Sequence, residues 1–124
     1  MEEPRRACTD CGILLILDGA RLGYGPSEGN DLLLPDIAAL CDVFYIGGTK
    51  VGALFGEAVV ITNPALKKDF RCIIKQRGGM LAKGRVLGIP FETLFEQREA
   101  RSCSTTQWKR IKAGMKRFGI WKRI

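Results

Sequence analysis

The apolar positions of the chain follow two rhythms. Residues 12–18, GILLILD, and 42–48, DVFYIGG, are short continuous apolar runs closed by an acid or by glycines, the pattern of strands buried on both faces. Between them, LLLPDIAALC at 32–41 puts Pro35 in a first helical turn with Ile37, Leu40 and Cys41 on one side. Strand, crossover helix and strand make a parallel pair with a right-handed connection. GEAVVIT at 56–62 follows too soon for another crossover, which predicts a third strand antiparallel to the second. Asn63 then caps a helix with Pro64 at its first position, and Leu66, Phe70, Ile73 and Ile74 recur at helical spacing until Gly78-Gly79 interrupts. A second helical stretch carries Met80, Leu87, Phe91 and Leu94, with Pro90 as a kink. Both stripes are expected to face the core. The fold class read from these elements is α/β, parallel strands plus one antiparallel strand, followed by helices.

Composition narrows this reading. A chain of 124 residues with 46% apolar and 27% charged residues is one ordinary globular domain, not a disordered segment. No apolar run approaches the roughly twenty residues of a membrane span, and MEEPRRACTDCG has acids and arginines where a signal peptide needs apolar residues. A cytoplasmic protein without a membrane partner is expected. The five cysteines are an odd number in no compact pattern, which fits reduced thiols. Cys8 and Cys11 have the spacing of a metal-ligand pair, but there is no second pair and no histidine, so no metal site is expected.

The net charge of +7 is unevenly placed. Residues 97–124 hold nine of the 20 Lys and Arg but one of the 13 acids, which leaves residues 1–96 near neutral. Trp108, Ile111, Met115 and Phe118 share one side of a tail helix, with Lys109, Arg110, Lys112, Lys116 and Arg117 around them. That arrangement supports an alternative reading as a small binding module whose basic amphipathic C-terminal helix lies on an anionic membrane, binds a partner protein or touches nucleic-acid phosphates.

The chemistry gathers at one edge of the expected sheet. In parallel α/β sheets, ligands sit beyond the carboxyl ends of the strands. Asp18 closes the first strand in LDGAR, and Lys50 lies just past the second in GGTK, with glycines that permit tight turns and close approach of a flat ligand. A carboxylate and a lysine there suit pyridoxal phosphate, the amine engaging the cofactor aldehyde and the acid pairing with the pyridine nitrogen. Partial desolvation of such a lysine favours its neutral, nucleophilic form. The plainer readings are a solvated lysine in a turn and an aspartate that caps the next turn. A P-loop is excluded, because the order Thr49-Lys50-Val51 reverses the lysine-then-hydroxyl order of that motif.

LDGARLGYG, LPDIAALCDVFYIGGTKVGALFGEAVVI and LKKDFRCIIKQRGGMLAKGRVLGI together closely resemble the low-specificity L-threonine aldolases, over about residues 12–95. The resemblance implies the aspartate-aminotransferase-like fold (pyridoxal-phosphate fold type I), with residues 1–96 a central part of the large domain. It implies a lyase of amino-acid metabolism that cleaves L-threonine and L-allo-threonine to glycine and acetaldehyde. Lys50 would be the Schiff-base lysine, Asp18 the partner of the pyridine nitrogen, and Arg21 a guanidinium facing cofactor and substrate carboxylate, for which its planar fork is suited. The intact family forms dimers or tetramers, and Lys75, Arg77, Lys83 and Arg85 would lie near a neighbouring subunit or form a solvated helix face. The family's ring-stacking histidine and phosphate loop lie upstream, and this chain has no histidine, so a fragment inactive alone is expected; the aldolase resemblance also implies no nucleic-acid partner. Residues 97–108 depart from the family pattern, and 109–120 again resemble its first small-domain helix.

Overall fold

The structure, a computed structural model, describes residues 1–23 and 32–96. The basic tail at 97–124, including the expected helix at 109–120, lies outside the described residues.

The chain runs through helix α1 (Glu2–Asp10), strand β1 (Ile16–Leu17), helix α2 (Leu34–Leu40), strand β2 (Val43–Gly47), a 3-10 turn at Thr49–Val51, strand β3 (Glu57–Ile61), a 3-10 turn at Pro64–Leu66, and helices α3 (Phe70–Gln76) and α4 (Arg85–Glu96). The strands form one sheet in the order β1-β2-β3. β1 is parallel to β2, with Ile16 opposite Val43 and Leu17 opposite Phe44. β3 is antiparallel to β2, with Phe44 opposite Val60 and Tyr45 opposite Val59. The expected α/β arrangement of a parallel pair plus one antiparallel strand is therefore present.

Successive strand residues point to opposite faces, and the two faces differ sharply here. Phe44 and Ile46, 1% and 0% exposed, look into a core with Val60, Leu34, Ile37, Cys41, Val51 and Phe91. Leu15, Leu17 and Ala58 pack against that cluster. On the other face Ile16 is 65% exposed and Val59 48%. The burial of 12–18 on both faces expected from its continuous apolar run is thus not found. The helices α2 and α4 supply apolar residues to one face only, and β1, an edge strand, contracts to two residues.

The helical stripes also need correction. Asn63 does act as a cap, its side chain accepting from the Ala65 amide at 3.0 Å, but the turn it starts ends at Leu66. Asp69 then takes a left-handed conformation with φ 56°, which breaks the ladder before α3. Neither this helix nor its stripe is buried, and Ile73 is 46% exposed. In the second stripe Phe91 is buried and Leu87 and Leu94 are half-buried, whereas Met80 lies before α4 and is exposed. Pro90 sits inside α4.

One buried acid joins α1, the start of β1 and the end of β3. Asp42, 7% exposed, accepts from the Leu15 amide at 2.9 Å and from Arg5 of α1 at 2.7 Å through Oδ2, and from Asn63 at 3.0 Å through Oδ1. Its carbonyl accepts from the amides of Thr62 and Asn63 at the end of β3. The Leu15 amide, then Asn63 and Arg5, hold its carboxyl below the usual carboxylate range against the opposing effect of burial. A depressed folded-state value means that the stabilisation is complete above the ordinary carboxylate range and is lost as pH falls through the lowered value. In urea titrations, Asp42→Asn is expected to lower the midpoint at neutral pH and to flatten its decline on acidification relative to the wild type. Phe44→Ala is expected to cost about 3–5 kcal/mol by emptying the centre of the core, read from the same titrations.

Candidate functional site

The two turns that leave the carboxyl ends of β1 and β2 lie side by side. The Gly47 amide donates to the Gly19 carbonyl at 2.9 Å, which extends the parallel pairing past the last residues of β1. The approach at Gly19 is so close that a Cβ there would fall 1.5 Å from the carbonyl oxygen of Tyr45. Only a residue without a side chain permits it.

The lysine turn explains how a charge sits amid small apolar residues. The Val51 and Ala53 amides both donate to the Gly48 carbonyl at 3.0 Å, and Val51 and Ala53 are buried at 7% and 6% exposure. Thr49, Lys50 and Gly52 are exposed. The apolar residues pin the turn to the core, and Lys50 emerges from it toward water. Beneath, a Cβ on Gly48 would meet Phe91 Cζ at 2.7 Å and Ala53 Cβ at 2.8 Å, so α4 forms the floor of this turn.

Asp18 begins the turn after β1 and is exposed. Its Oδ1 accepts from the Ala20 amide at 3.0 Å and from the hydroxyl of Tyr45 on β2. The Tyr45 hydrogen bond, the Ala20 amide and, more weakly, the positive charge of Lys50 lower its proton affinity below the usual carboxylate range. The two residues singled out from the sequence are therefore close enough for the lysine charge to act on the carboxylate. The same hydrogen bond pushes the Tyr45 phenol up to about 12, with burial and the charges of Asp18 and Glu57 acting in the same direction.

Arg21 lies exposed in the same turn as Asp18, and makes no ion pair among the described residues. Lys75, Arg77, Lys83 and Arg85 are exposed on and after α3. Cys8 is half-buried and Cys11 exposed on and just after α1, both as free thiols. Among the described residues no group of three His, Cys, Asp or Glu is placed to hold a metal ion, and no helix is long and apolar enough to cross a membrane.

Tyr45 was not among the residues picked out from the sequence. The available signal was its parity. Phe44 and Ile46 point into the core, so Tyr45 shares the other face with the strand end where Asp18 lies, and a hydroxyl there can reach across.

The chain has relatives over part of their length. It is 38% identical over 96 residues to a low specificity L-threonine aldolase of Pseudomonas sp. (strain NCIMB 10558), a match covering 72% of this chain and 26% of that one. It is 36% identical over 91 residues to a low specificity L-threonine aldolase of Pseudomonas aeruginosa, covering 68% of this chain and 25% of that one. Among solved structures, a Leishmania major threonine aldolase matches with a TM-score of 0.73 at 44% identity, covering 95% of this chain and 33% of that one. No protein-family model matches. The chain thus spans a quarter to a third of the length of these relatives. Sequence and fold alike make it the counterpart of part of a threonine aldolase, with the aspartate-aminotransferase-like fold expected from the sequence.

The Tyr45 phenol has a signature that can be measured. A folded-state value raised from the ordinary 10 to about 12 means that its contribution to stability is whole below pH 10 and is lost as pH climbs through 12. Alkaline titration of tyrosinate absorbance is expected to show a late step near pH 12 in the wild type that is missing from Tyr45→Phe.

Proposed function

We propose that this chain is the lysine-bearing part of a pyridoxal-phosphate-dependent aldehyde-lyase that cleaves a β-hydroxy-α-amino acid, L-threonine or L-allo-threonine, to glycine and acetaldehyde. The observation that carries this reading is the placement of Asp18 and Lys50 on the two adjacent turns that leave the carboxyl ends of parallel strands, joined by the Gly47 amide to Gly19 carbonyl bond. The likeness to threonine aldolases supplies the reaction class.

The residues present suit the cofactor in their donor chemistry. Asp18 stays ionised at neutral pH and has Oδ1 held by two donors. It is suited to a cationic ring N–H. Lys50 supplies a primary amine for the aldehyde, on a turn anchored by Val51 and Ala53. When bound, pyridoxal phosphate supplies an electron-withdrawing ring that stabilises the charge left on the substrate α-carbon as the Cα–Cβ bond breaks. Asp18 keeps the ring nitrogen protonated by placing a fixed negative charge beside it. Arg21 offers a planar fork for the substrate carboxylate. The group that takes the β-hydroxyl proton is not assigned to this chain, which has no histidine. A cytoplasmic location and a homodimeric or homotetrameric intact enzyme belong to the same reading, in which this segment is inactive by itself.

Addition of pyridoxal phosphate to the 124-residue chain is expected to give the visible absorption of lysine-bound cofactor. Borohydride reduction and peptide mapping should then place the label on Lys50. Label spread over the tail lysines, and unchanged in Lys50→Ala, would remove the assignment.

A further inference from the structure

A carboxylate on an exposed turn is ordinarily free to rotate, so either oxygen can face a ligand. At Asp18 that freedom is restricted from two directions. The Ala20 amide, two residues along, closes a local ring onto Oδ1, a contact that moves with the turn itself. The Tyr45 hydroxyl reaches the same oxygen from the neighbouring strand, which ties the carboxylate to the framework of β2. Both donors fall on Oδ1. Tyr45 is itself fixed by its place in the sheet, opposite Val59 and between two residues buried in the core.

We propose that Tyr45 is a positioning residue: by donating its hydroxyl to Oδ1 of Asp18 it orients the carboxylate so that Oδ2 is the oxygen presented to the ring N–H of a bound pyridine. The inference rests on the pyridoxal-phosphate reading above and adds to it the group that selects the oxygen. The raised proton affinity of the phenol agrees with this role, since the hydroxyl keeps its hydrogen, and its donation, across the whole neutral range. The charges that face the pair are Lys50 toward Asp18 and Glu57 toward Tyr45. Neither duplicates the hydroxyl, because neither supplies a directed donor from β2.

The test compares wild type, Tyr45→Phe, Asp18→Asn and the double variant in the full chain. Carboxyl NMR titration of Asp18 without ligand is expected to move upward in Tyr45→Phe. Affinity is then measured for pyridoxal phosphate and for its benzene-ring analogue, which has the same aldehyde and phosphate but no ring nitrogen. Tyr45→Phe is expected to weaken pyridoxal phosphate roughly three- to tenfold, the usual range for one hydrogen bond, and to leave the analogue unchanged. In the Asp18→Asn background the same substitution should have no further effect on pyridoxal phosphate. An unmoved Asp18 titration, or an equal loss for both ligands, would overturn the proposal, because the hydroxyl would then act on packing alone. The cofactor reading fails by a different result: wild type and Asp18→Asn binding the two ligands alike, or the wild type binding neither. In that case the proposal falls with it, although the NMR arm still reports whether Tyr45 governs the carboxylate.

Discussion

The position of everything at the candidate site is set by the register of β1 against β2. Leu17 lies opposite Phe44, so Asp18 comes level with Tyr45 and the Gly19 carbonyl meets the Gly47 amide. A slip of one residue would turn Leu15 and Leu17 out of the core and carry the acid away from the phenol. Two residues of ladder are too few to define that register unaided. It is enforced from outside the strand: the Asp42 carboxylate grips the Leu15 amide just before β1, and Gly19 admits the Tyr45 carbonyl just after it.

Asp42 therefore has a reach out of proportion to its size. A single carboxylate in the lower corner of the sheet touches α1, the start of β1 and the end of β3. It is stable in a buried place because both oxygens are engaged and one partner is a guanidinium. The acid at the opposite edge is arranged differently: the Ala20 amide and the Tyr45 hydroxyl both donate to its Oδ1. The same residue type is buried and held through both oxygens at one end of the strands, and at the other is exposed with its two described donors on a single oxygen.

Much of this was legible in the sequence, and the failures have physical causes. The runs around Phe44 and Val60 give strands within a residue of the expected limits, because polar residues (Asp42; Thr62 and Asn63) close one end of each and turn glycines (Gly47 and Gly48; Gly56) the other. GILLILD reads as a fully buried strand yet Ile16 is open to water, since an apolar run records that a residue is suited to burial, not that a covering layer is at hand. The helix expected from Asn63 breaks at Asp69, whose left-handed backbone no periodicity can reveal. α1 went unread because it is made of charged and small residues with no apolar stripe, and it is tied on through Arg5. Asp18 and Lys50 stood out because each punctuates an apolar run. Tyr45 did not, because an aromatic inside a strand looks like any other packing residue until its partner across the ladder is known.

The floor under the lysine turn comes from far along the chain. Phe91 lies against Gly48 and Leu87 against Gly56, so the two glycines that bracket the segment bearing the amine rest on one helix. The strands are held to each other by main-chain bonds that owe nothing to that helix. Local fraying of α4 would then leave the main-chain ladder of the sheet in place while the turn that carries Lys50 lost its floor.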